Sequence, residues 1–306
     1  MDTNVVITGG GGFIGSNLVD MYIQDQCAVT VIDNFSTGEH FIQGRNKTLI
    51  SCDLSTSRNM PEVERALESA DIVLHMAGSV GVKYIDNDPR GTLRNSFDIN
   101  NNMFPLFEKY NNRVVFASTS EVYGETNEAH ETDTLKIGSP DTLRWGYACG
   151  KLMSEFLLRT YNFPSTIVRF FNVTGYGQLS TYGMVLPTFV ERAQQNVDII
   201  VHGDGNQTRT FCDVRDAIQM IKILTTEQHI GEIYNIGNPN NALTIRELAE
   251  LVINLSTSNS DVIYKQYEDC FSHEFGEIYK RKPNIDKISK YYKPKHTIEN
   301  IINSML

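Results

Sequence analysis

Short apolar runs alternate with amphipathic stretches along the first two thirds of the chain. The runs are rich in β-branched residues and end at turn-forming residues, a pattern typical of buried strands. The predicted strands are residues 4–8, 28–33, 48–52, 72–75, 114–118 and 166–170. Predicted helices between them include residues 61–68, 100–110 and 145–161. This alternation indicates strand–helix–strand units, and therefore a parallel sheet covered by helices on both faces.

The pattern loosens after about Gly175, where turns become rich in Gly, Asn and Pro. The predicted elements there are helices at 185–195, 214–226 and 245–255 and a strand at 199–202. We therefore predict an α/β fold in which residues 1–174 form a sheet domain and residues 175–306 mainly form a smaller lobe, with some later segments returning to the sheet. The lobe should cover the carboxyl ends of the strands, where ligands of open α/β sheets bind.

Composition and charge exclude several classes of protein. Apolar residues make up 41% of the 306 residues and charged residues 21%, which is normal for a chain with a buried core. No apolar run approaches the length of a membrane span, and the first residues do not resemble a secretory signal. A net charge of −10 gives nucleic acid no attractive field. The five scattered cysteines include no CxxC pair, so we expect reduced thiols in the cytoplasm. No histidine spacing is typical of a metal site, and none is predicted.

A glycine-rich segment, TGGGGFIGSNL, begins at Thr8 between a predicted strand and a predicted helix. In this context Gly9 permits a tight turn, Gly12 lets the backbone approach a pyrophosphate, and Gly15 allows the helix to pack on the sheet. Asp33 ends the next strand, where a carboxylate binds ribose hydroxyls and repels a 2′-phosphate. The sequence therefore predicts a dinucleotide site that favours NAD over NADP.

Further cofactor-binding candidates follow other strands of the predicted sheet. Asp53 and Leu54 suit a contact with adenine, whereas small Ala77 and Gly78 let the chain pass close to the cofactor. The remaining cofactor-binding candidates are Phe13, Ile14, Asn34 and Met76, with Tyr147 and Lys151.

Tyr147 and Lys151 lie four residues apart on a predicted helix, and therefore on one face of it. Such spacing also arises by chance on amphipathic helices, but Thr119, at the end of the preceding strand, could hold a substrate oxygen near Tyr147. The pKa of a phenol is about 10, so a tyrosine base must have a lowered pKa near neutrality. We expect Lys151 and a positively charged nicotinamide to lower it. Cys149, between them, is interpreted as a packing residue.

Taken together, these motifs resemble the extended short-chain dehydrogenase/reductase family, the NAD-dependent nucleotide-sugar epimerases, dehydratases and decarboxylases. The matching segments span nearly the whole chain: TGGGGFIGSNL, Asp33, HMAG, STSEVYG, YACGK, RFFN, GDGNQTRTF and YNIGN. The resemblance implies a Rossmann-like doubly wound sheet for NAD, a C-terminal lobe for a nucleotide sugar, and a homodimer formed through helices at 100–110 and 145–161. It also implies an enzyme that oxidises the sugar at C4 to a transient 4-keto sugar.

The same resemblance suggests substrate-binding residues. Asn172, in RFFN, should lie beside the diphosphate, and Arg209 should supply it with positive charge. Tyr182 and Val185 should lead into the pocket for the nucleotide base. Arg281 belongs to RKPNI, which resembles a segment whose arginine lies near the sugar carboxylate; a diphosphate contact is the alternative for this residue.

The residues after Thr119 bear on the type of reaction. Ser120-Glu121 resembles UDP-glucuronate decarboxylases and also GDP-mannose dehydratases, which generally prefer NADP. The segment RWGY before the helix further resembles the decarboxylases. Thr119, Ser120, Glu121, Tyr147, Lys151 and Arg281 are the catalytic candidates.

We predict decarboxylation of UDP-glucuronate to UDP-xylose, and the closest resemblance is to that enzyme group. The alternatives are a UDP-glucuronate or UDP-hexose 4-epimerase, a nucleotide-sugar dehydratase, or a non-catalytic dinucleotide sensor. One departure weakens the substrate assignment, because Tyr176-Gly177 stands where relatives commonly have Pro-Arg, which removes a cation near the substrate.

Overall fold

The computed structural model describes residues 3–36, 47–56, 60–78, 87–267 and 278–306. Its largest sheet has seven strands, all paired in parallel. In spatial order they are β12 (Ile233–Ile236), β7 (Ser165–Phe170), β5 (Val114–Thr119), β4 (Ile72–His75), β1 (Asn4–Thr8), β2 (Ala28–Asp33) and β3 (Lys47–Ser51).

The strand order reverses direction between β1 and β4. From β1 the chain adds β2 and β3 on one side, then crosses to the other side for β4, β5, β7 and β12. Open sheets of this kind bind ligands at the crevice where the order reverses, beyond the carboxyl ends of the strands.

Helices cover both faces of this sheet and form much of the smaller lobe. They are α1 (Phe13–Gln24), α2 (Met60–Glu68), α3 (Pro89–Lys109), α4 (Arg144–Leu158), α5 (Val185–Gln194), α6 (Val214–Ile223), α7 (Ile245–Ser256), α8 (Asp286–Ser289) and α9 (Ile298–Met305). Three apolar clusters hold the layers together. One packs α1 and α6 on the sheet, the second packs α2 and α3 on its other face, and the third joins α5, α7 and α9 within the lobe.

Short strands outside the main sheet form four two-stranded sheets in the described part of the chain. They are β6 (Thr126–Ala129), β8 (Val173–Thr174), β9 (Ile199–His202), β10 (Thr208–Thr210), β11 (Cys212–Asp213), β13 (Ala242–Thr244), β14 (Val262–Lys265) and β15 (Arg281–Pro283). The pairing of β15 with β6 places Arg281 opposite Thr126, and so brings a late segment beside the residues that follow β5.

The predicted strands of the sheet all occur, with boundaries within one residue of those expected. Helix α3 begins earlier than predicted, because Asp88 caps its first turn by accepting a hydrogen bond from the Gly91 amide (2.8 Å) and Pro89 starts it. Helix α6 ends at Ile223 rather than at residue 226. Strand β12 was not predicted; it extends the sheet through its pairing with β7.

Candidate active site

The turns after β1 and β4 meet at the crevice between these strands. Gly9 has a φ of 68°, in the left-handed region, and a Cβ there would lie 2.7 Å from the Ala77 amide nitrogen. A Cβ on Gly15 would lie 2.0 Å from the Gly9 carbonyl oxygen. Both positions therefore require glycine, and α1 starts directly against the turn. Because its N-cap is Gly12, which has no side chain, a ligand can approach the first-turn amides.

The Asp33 carboxylate faces this glycine turn. Its Oδ2 accepts a hydrogen bond from the Gly11 amide (2.8 Å), and its Oδ1 accepts one from the Phe35 amide (2.7 Å). Asn34 follows and accepts a hydrogen bond from the Ser36 amide (3.0 Å). The carboxylate is thus fixed at the carboxyl end of β2, beside the glycine turn.

The other cofactor-binding candidates lie at the start of α1 and after β3 and β4. Phe13 and Ile14 pack against the apolar cluster under α1. Asp53 closes a turn by accepting hydrogen bonds from the amide (3.0 Å) and hydroxyl (2.7 Å) of Ser55. Leu54 is buried in the second apolar cluster. The Met76 amide donates to the Thr8 carbonyl (3.0 Å), which ties the turn after β4 to β1.

Gly78 connects the cofactor-binding candidates with the catalytic candidates. A Cβ on Gly78 would lie 3.2 Å from Nζ of Lys151. Lys151 is buried, and its ammonium donates to the Ala117 carbonyl (3.0 Å) on β5. Lys151, on helix α4, therefore lies at the crevice where the turns after β1 and β4 meet.

Thr119 and Tyr147 contact each other, as their predicted roles require. Thr119 is the last residue of β5, and its side chain forms a hydrogen bond with the Tyr147 phenol. Ser120, which is buried, starts a short 3₁₀ turn, Ser120–Tyr123, and the Thr119 hydroxyl accepts a hydrogen bond from the Glu121 amide of this turn (3.3 Å). The catalytic candidates on β5, on this turn and on α4 are thus held together.

The pKa values of the tyrosine and the lysine reflect their burial. Burial raises the pKa of the Tyr147 phenol, and the carboxylate of Glu121 raises it further, whereas the bond from Thr119 and the charge of Arg281 lower it. In the protein alone the direction is thus opposite to that expected from the sequence. Burial lowers the pKa of Lys151 to about 8, although Glu155 acts to raise it. Lowering of the Tyr147 pKa by a bound nicotinamide stays a prediction.

Arg281 and Glu121 form a buried ion pair next to Tyr147. A guanidinium nitrogen of Arg281 contacts Oε1 of Glu121, and only 5% of the arginine side chain is exposed. The Nε of Arg281 is also buried and has no hydrogen-bond partner. Because both charges affect the Tyr147 phenol, the pair lies within electrostatic reach of the proposed base.

Asn172 and Arg209 extend this group of residues into the lobe. Asn172 has a φ of 36°, and its side-chain amide donates to the Thr210 carbonyl (3.0 Å). Its Oδ1 lies 3.5 Å from Nη2 of Arg281. Arg209, on β10, is buried and donates to the Ile278 carbonyl (2.7 Å). Three polar candidates from separate segments thus border one region.

The other substrate-binding candidates lie at the start of α5. Tyr182 ends the 3₁₀ turn Ser180–Tyr182, and Val185 is the first residue of the helix. Tyr176, in the loop after β8, is 74% exposed.

Two functional candidates were missed from the sequence. Glu155 is buried one helical turn after Lys151, and Arg169 is buried in β7 and pairs with it (2.6 Å). A charged residue inside an otherwise apolar strand was the available clue, because buried charges need partners.

Within the described part of the chain, no group of three or more His, Cys, Asp or Glu side chains could hold a metal ion. No helix among the described residues has both the length and the apolar character needed to cross a membrane.

The fold and the site define an α/β enzyme with a dinucleotide crevice at the point of strand reversal. The profile of the NAD dependent epimerase/dehydratase family matches residues 5–237, and the chain belongs to that family. The predictions of this family and of a Rossmann-like α/β fold are confirmed, and NAD is the cofactor. The Gly9 and Gly15 positions, which a Cβ would fill, and the Asp33 carboxylate fit that cofactor.

Individual relatives are more specific. UDP-N-acetyl-alpha-D-glucosaminuronate decarboxylase of Bacillus cytotoxicus is 35% identical over 95% of this chain and 92% of its own length. UDP-glucuronic acid decarboxylase 2 of Arabidopsis thaliana is 31% identical over 92% of this chain, which spans 62% of the plant protein. The structure of UDP-N-acetylglucosamine 4-epimerase from Methanobrevibacter ruminantium M1, in complex with UDP-N-acetylmuramic acid, has a TM-score of 0.86 at 29% identity and covers 99% of this chain and 97% of its own.

Proposed function

We propose that this protein decarboxylates a UDP-linked uronic acid, with UDP-glucuronate as the substrate and UDP-xylose or its 4-keto precursor as the product. The observation that carries this proposal is the buried guanidinium of Arg281 beside Tyr147. An arginine fork recognises a carboxylate in a bidentate manner, and a buried one discriminates against neutral sugars. Decarboxylases among the relatives, at 31% and 35% identity, support the same reaction.

The residues at the crevice would first prepare the sugar for oxidation. NAD, when bound, supplies the acceptor for the C4 hydride and later returns that hydride. Tyr147 takes the proton of the C4 hydroxyl, and the Thr119 hydroxyl holds the C4 oxygen in place. Lys151, as an ammonium, favours the phenolate form of Tyr147.

The second stage is loss of carbon dioxide from the resulting β-keto acid. The C5–C6 bond breaks, and its electron pair moves towards the C4 ketone to give an enol. Arg281 orients the C6 carboxylate, while Ser120 and Glu121 steer it and the proton that is added at C5. Return of the hydride to C4 would give UDP-xylose and restore NAD, so that reaction is redox neutral. Release of the 4-keto precursor would instead leave the hydride on NADH and consume one NAD for each sugar converted.

Asn172 and Arg209 would hold the diphosphate of the substrate. Arg209 supplies positive charge within a protein whose net charge is −10, and Asn172 lies beside Arg281. Tyr182 and Val185 would border the nucleotide base.

The Bacillus cytotoxicus relative gives one specific alternative to UDP-glucuronate as the substrate, namely a uronic acid with an N-acetyl group at C2.

The test is to incubate the protein with trace NAD and each of three sugars: UDP-glucuronate, UDP-N-acetylglucosaminuronate and UDP-glucose. Product masses are then measured. Loss of one carbon dioxide from an acidic sugar supports the proposal, and the preferred acid identifies the C2 substituent. Isomers of unchanged mass would instead indicate a 4-epimerase, which the Methanobrevibacter ruminantium structure favours. Loss of water would indicate a dehydratase, and NAD binding without any conversion a sensor.

We further propose that two copies pair through α3 and α4. Four side chains on these helices are exposed although they are large and apolar: Leu93, Phe97, Met153 and Phe156. Phe156 is the most exposed, at 68%. Within the predicted dimer segment at 100–110, Met103, Phe104 and Phe107 are buried in the protein's own core, and the exposed large apolar residues of α3 precede them.

This pairing is testable by sedimentation at several protein concentrations. Phe156→Glu should shift the protein towards monomer, whereas Ile263→Lys, a charge placed at an exposed apolar position of β14, should not. Cys149 is an exposed thiol on α4, four residues before Met153, and should react more slowly with a maleimide in the dimer. Monomeric wild-type protein at high concentration would exclude the interface.

The presence of thiols at Cys149 and Cys212 is in keeping with the proposed cytoplasmic location.

A further inference from the structure

A chain of buried polar side chains runs behind the candidate active site. We call it the Glu155 network, and its members are Ser118, Tyr123, Glu155, Arg169 and Asn235. At its centre, Oε1 of Glu155 accepts hydrogen bonds from the Ser118 hydroxyl and from Nε of Arg169 (3.0 Å). Oε2 of Glu155 accepts from Nη2 of the same arginine at 2.6 Å. The carboxylate and the guanidinium therefore face each other as a two-bonded fork.

The network continues from Arg169 towards the lobe. Nη1 of Arg169 donates to the Tyr123 hydroxyl (2.8 Å), which donates to Oδ1 of Asn235 (2.8 Å). The side-chain amide of Asn235 donates to the Asn284 carbonyl (3.0 Å) and to the Ala129 carbonyl (2.9 Å). One continuous set of hydrogen bonds thus crosses β5, α4, β7 and β12.

Three members of the network, and the residue Asn284 that Asn235 contacts, are close in sequence to catalytic candidates. Ser118 precedes Thr119, Tyr123 is in the same 3₁₀ turn as Glu121, Glu155 lies one helical turn after Lys151, and Asn284 follows β15, which carries Arg281. The network therefore joins all of the separate elements that carry the proposed catalytic residues.

Stability alone does not account for this arrangement. Taking an ion pair out of water costs about as much as its attraction returns, so apolar residues of similar volume often serve a fold equally well. Burial by itself would lower the pKa of Arg169, but the bonds from Glu155 raise it, so the guanidinium stays charged. Such a pair is better explained by its effect on a neighbouring group.

Lys151 is that neighbouring group. Its surroundings are the Ala117 carbonyl and the Phe116 ring on β5, Gly78 after β4, and Glu155 on its own helix. The charge of Lys151 also lowers the pKa of His75 on β4, but burial is the larger cause and lowers this pKa to about 4. His75 is therefore neutral at pH 7. Glu155 is therefore the anionic group that acts to keep Lys151 protonated.

We propose that Glu155 and Arg169 are positioning residues for the reaction. Glu155 keeps Lys151 charged, and the fork with Arg169 fixes the strand that carries Thr119 and the turn that carries Glu121 relative to Tyr147. This inference rests on the proposed function for what these residues do, but not on which sugar is the substrate.

Four variants separate positioning from folding. Glu155→Gln removes the anion and leaves the Arg169 cation unbalanced. Arg169→Lys keeps the cation but removes the planar fork whose separate nitrogens bond both Glu155 oxygens and Tyr123. The double variant Glu155→Met/Arg169→Met replaces the pair with apolar residues of similar volume. Asp216→Asn is the control, because it alters another fully buried carboxylate, whose partners are Tyr292 and the backbone of Lys295 and His296.

The turnover rate of each variant is measured against pH, together with its melting temperature. For Glu155→Gln we expect kcat to fall at least about tenfold. We also expect the alkaline limb of the profile of kcat against pH, where Lys151 loses its proton, to move to lower pH. Arg169→Lys should keep the position of the limb but lose turnover. The Met double variant should melt near the wild-type temperature and still turn over slowly. Asp216→Asn should lower only the melting temperature.

A Met double variant with the kcat and pH profile of the wild-type enzyme would overturn the proposal, since the pair would then serve the fold alone. A readout without substrate separates this failure from failure of the proposed function. The pKa of Lys151 is followed by NMR of lysine labelled at Cε, with its signal assigned by loss in Lys151→Met. We expect a lower midpoint in Glu155→Gln than in wild type, and an unchanged midpoint would overturn the role assigned to Glu155 even if no nucleotide sugar is converted.

Discussion

Arg281 contacts Glu121, although 160 positions separate them in the chain, and only 5% of the arginine side chain is exposed. The contact depends on the pairing of β15 with β6. Strand β6 comes directly after the turn that carries Glu121 in the chain, and β15 carries Arg281. Without this pairing the guanidinium would not lie beside Tyr147. The proposed recognition of a carboxylate therefore depends on a small sheet that is separate from the main one.

Replacing Arg281 should separate carboxylate recognition from nucleotide binding. For Arg281→Ala we expect decarboxylation of UDP-glucuronate to fall about 100-fold or more, because a buried, charge-assisted contact is lost. Affinity for plain UDP, measured by calorimetry, should change little. Arg215→Ala, which removes a half-exposed arginine from its pair with Asp213, is the control and should alter neither quantity. Equal losses of turnover and UDP affinity would instead assign Arg281 to the diphosphate.

Replacing Tyr147 should remove the proposed base while the fold is kept. Tyr147→Phe deletes only the hydroxyl that bonds Thr119, and we expect kcat to fall about 10²–10⁴-fold with NAD affinity largely unchanged. The measurement is turnover together with an NAD titration by fluorescence. Tyr176→Phe, at an exposed position, is the control and should keep its turnover. If Tyr147→Phe were fully active, another group would have to be the base.

Local sequence patterns predicted the sheet well because its strands are short, apolar and rich in β-branched residues. They missed the first half of α3, whose segment beginning at Pro89 is polar and is identified mainly by its Asp88 cap. They also missed β12, which is short and pairs with β7, a strand more than 60 residues earlier in the chain.

Within the candidate site, the sequence predicted residues whose chemistry follows from a local motif, such as Gly9, Asp33 and the Tyr147–Lys151 pair. Two contacts between distant segments were not predicted. The hydrogen bonds that Arg169 donates to Glu155 and the pair of Arg281 with Glu121 depend on tertiary packing. The effect of burial was also not predicted: in the protein alone, burial raises the pKa of Tyr147 and outweighs the lowering by Arg281, and the effect of a bound nicotinamide stays a prediction.

Asp33 should control the choice between NAD and NADP. For Asp33→Asn we expect NAD to bind about tenfold more weakly, since a charge-assisted bond to the ribose is lost, while the ratio of NADP to NAD affinity rises. Both constants are measured by titration. Asp71→Asn is the matched control, because its carboxylate precedes β4, at the opposite end of the strands, and accepts a hydrogen bond from the Asn4 amide (2.8 Å). An affinity ratio that is unchanged in Asp33→Asn would contradict this role.

His75 should make the stability of the protein depend on pH. It is fully buried, with Nδ1 2.7 Å from the Thr8 hydroxyl and Nε2 3.1 Å from Oδ1 of Asn100. Burial lowers its pKa from 6.5 to about 4, so the unfolded chain binds a proton more readily than the folded protein does. Stability from this residue is therefore complete above pH 6.5 and is lost as the pH falls towards 4, a loss of about 3 kcal/mol.

The measurement that tests this is the free energy of unfolding between pH 7 and pH 4.5. In His75→Gln we expect lower stability at pH 7, because the two hydrogen bonds are disturbed, but a shallower decline as the pH falls. His130→Gln, at an exposed position, should keep the slope of the wild-type protein. A His75→Gln variant with the wild-type slope would show that other groups, and not this buried imidazole, cause the loss of stability in acid.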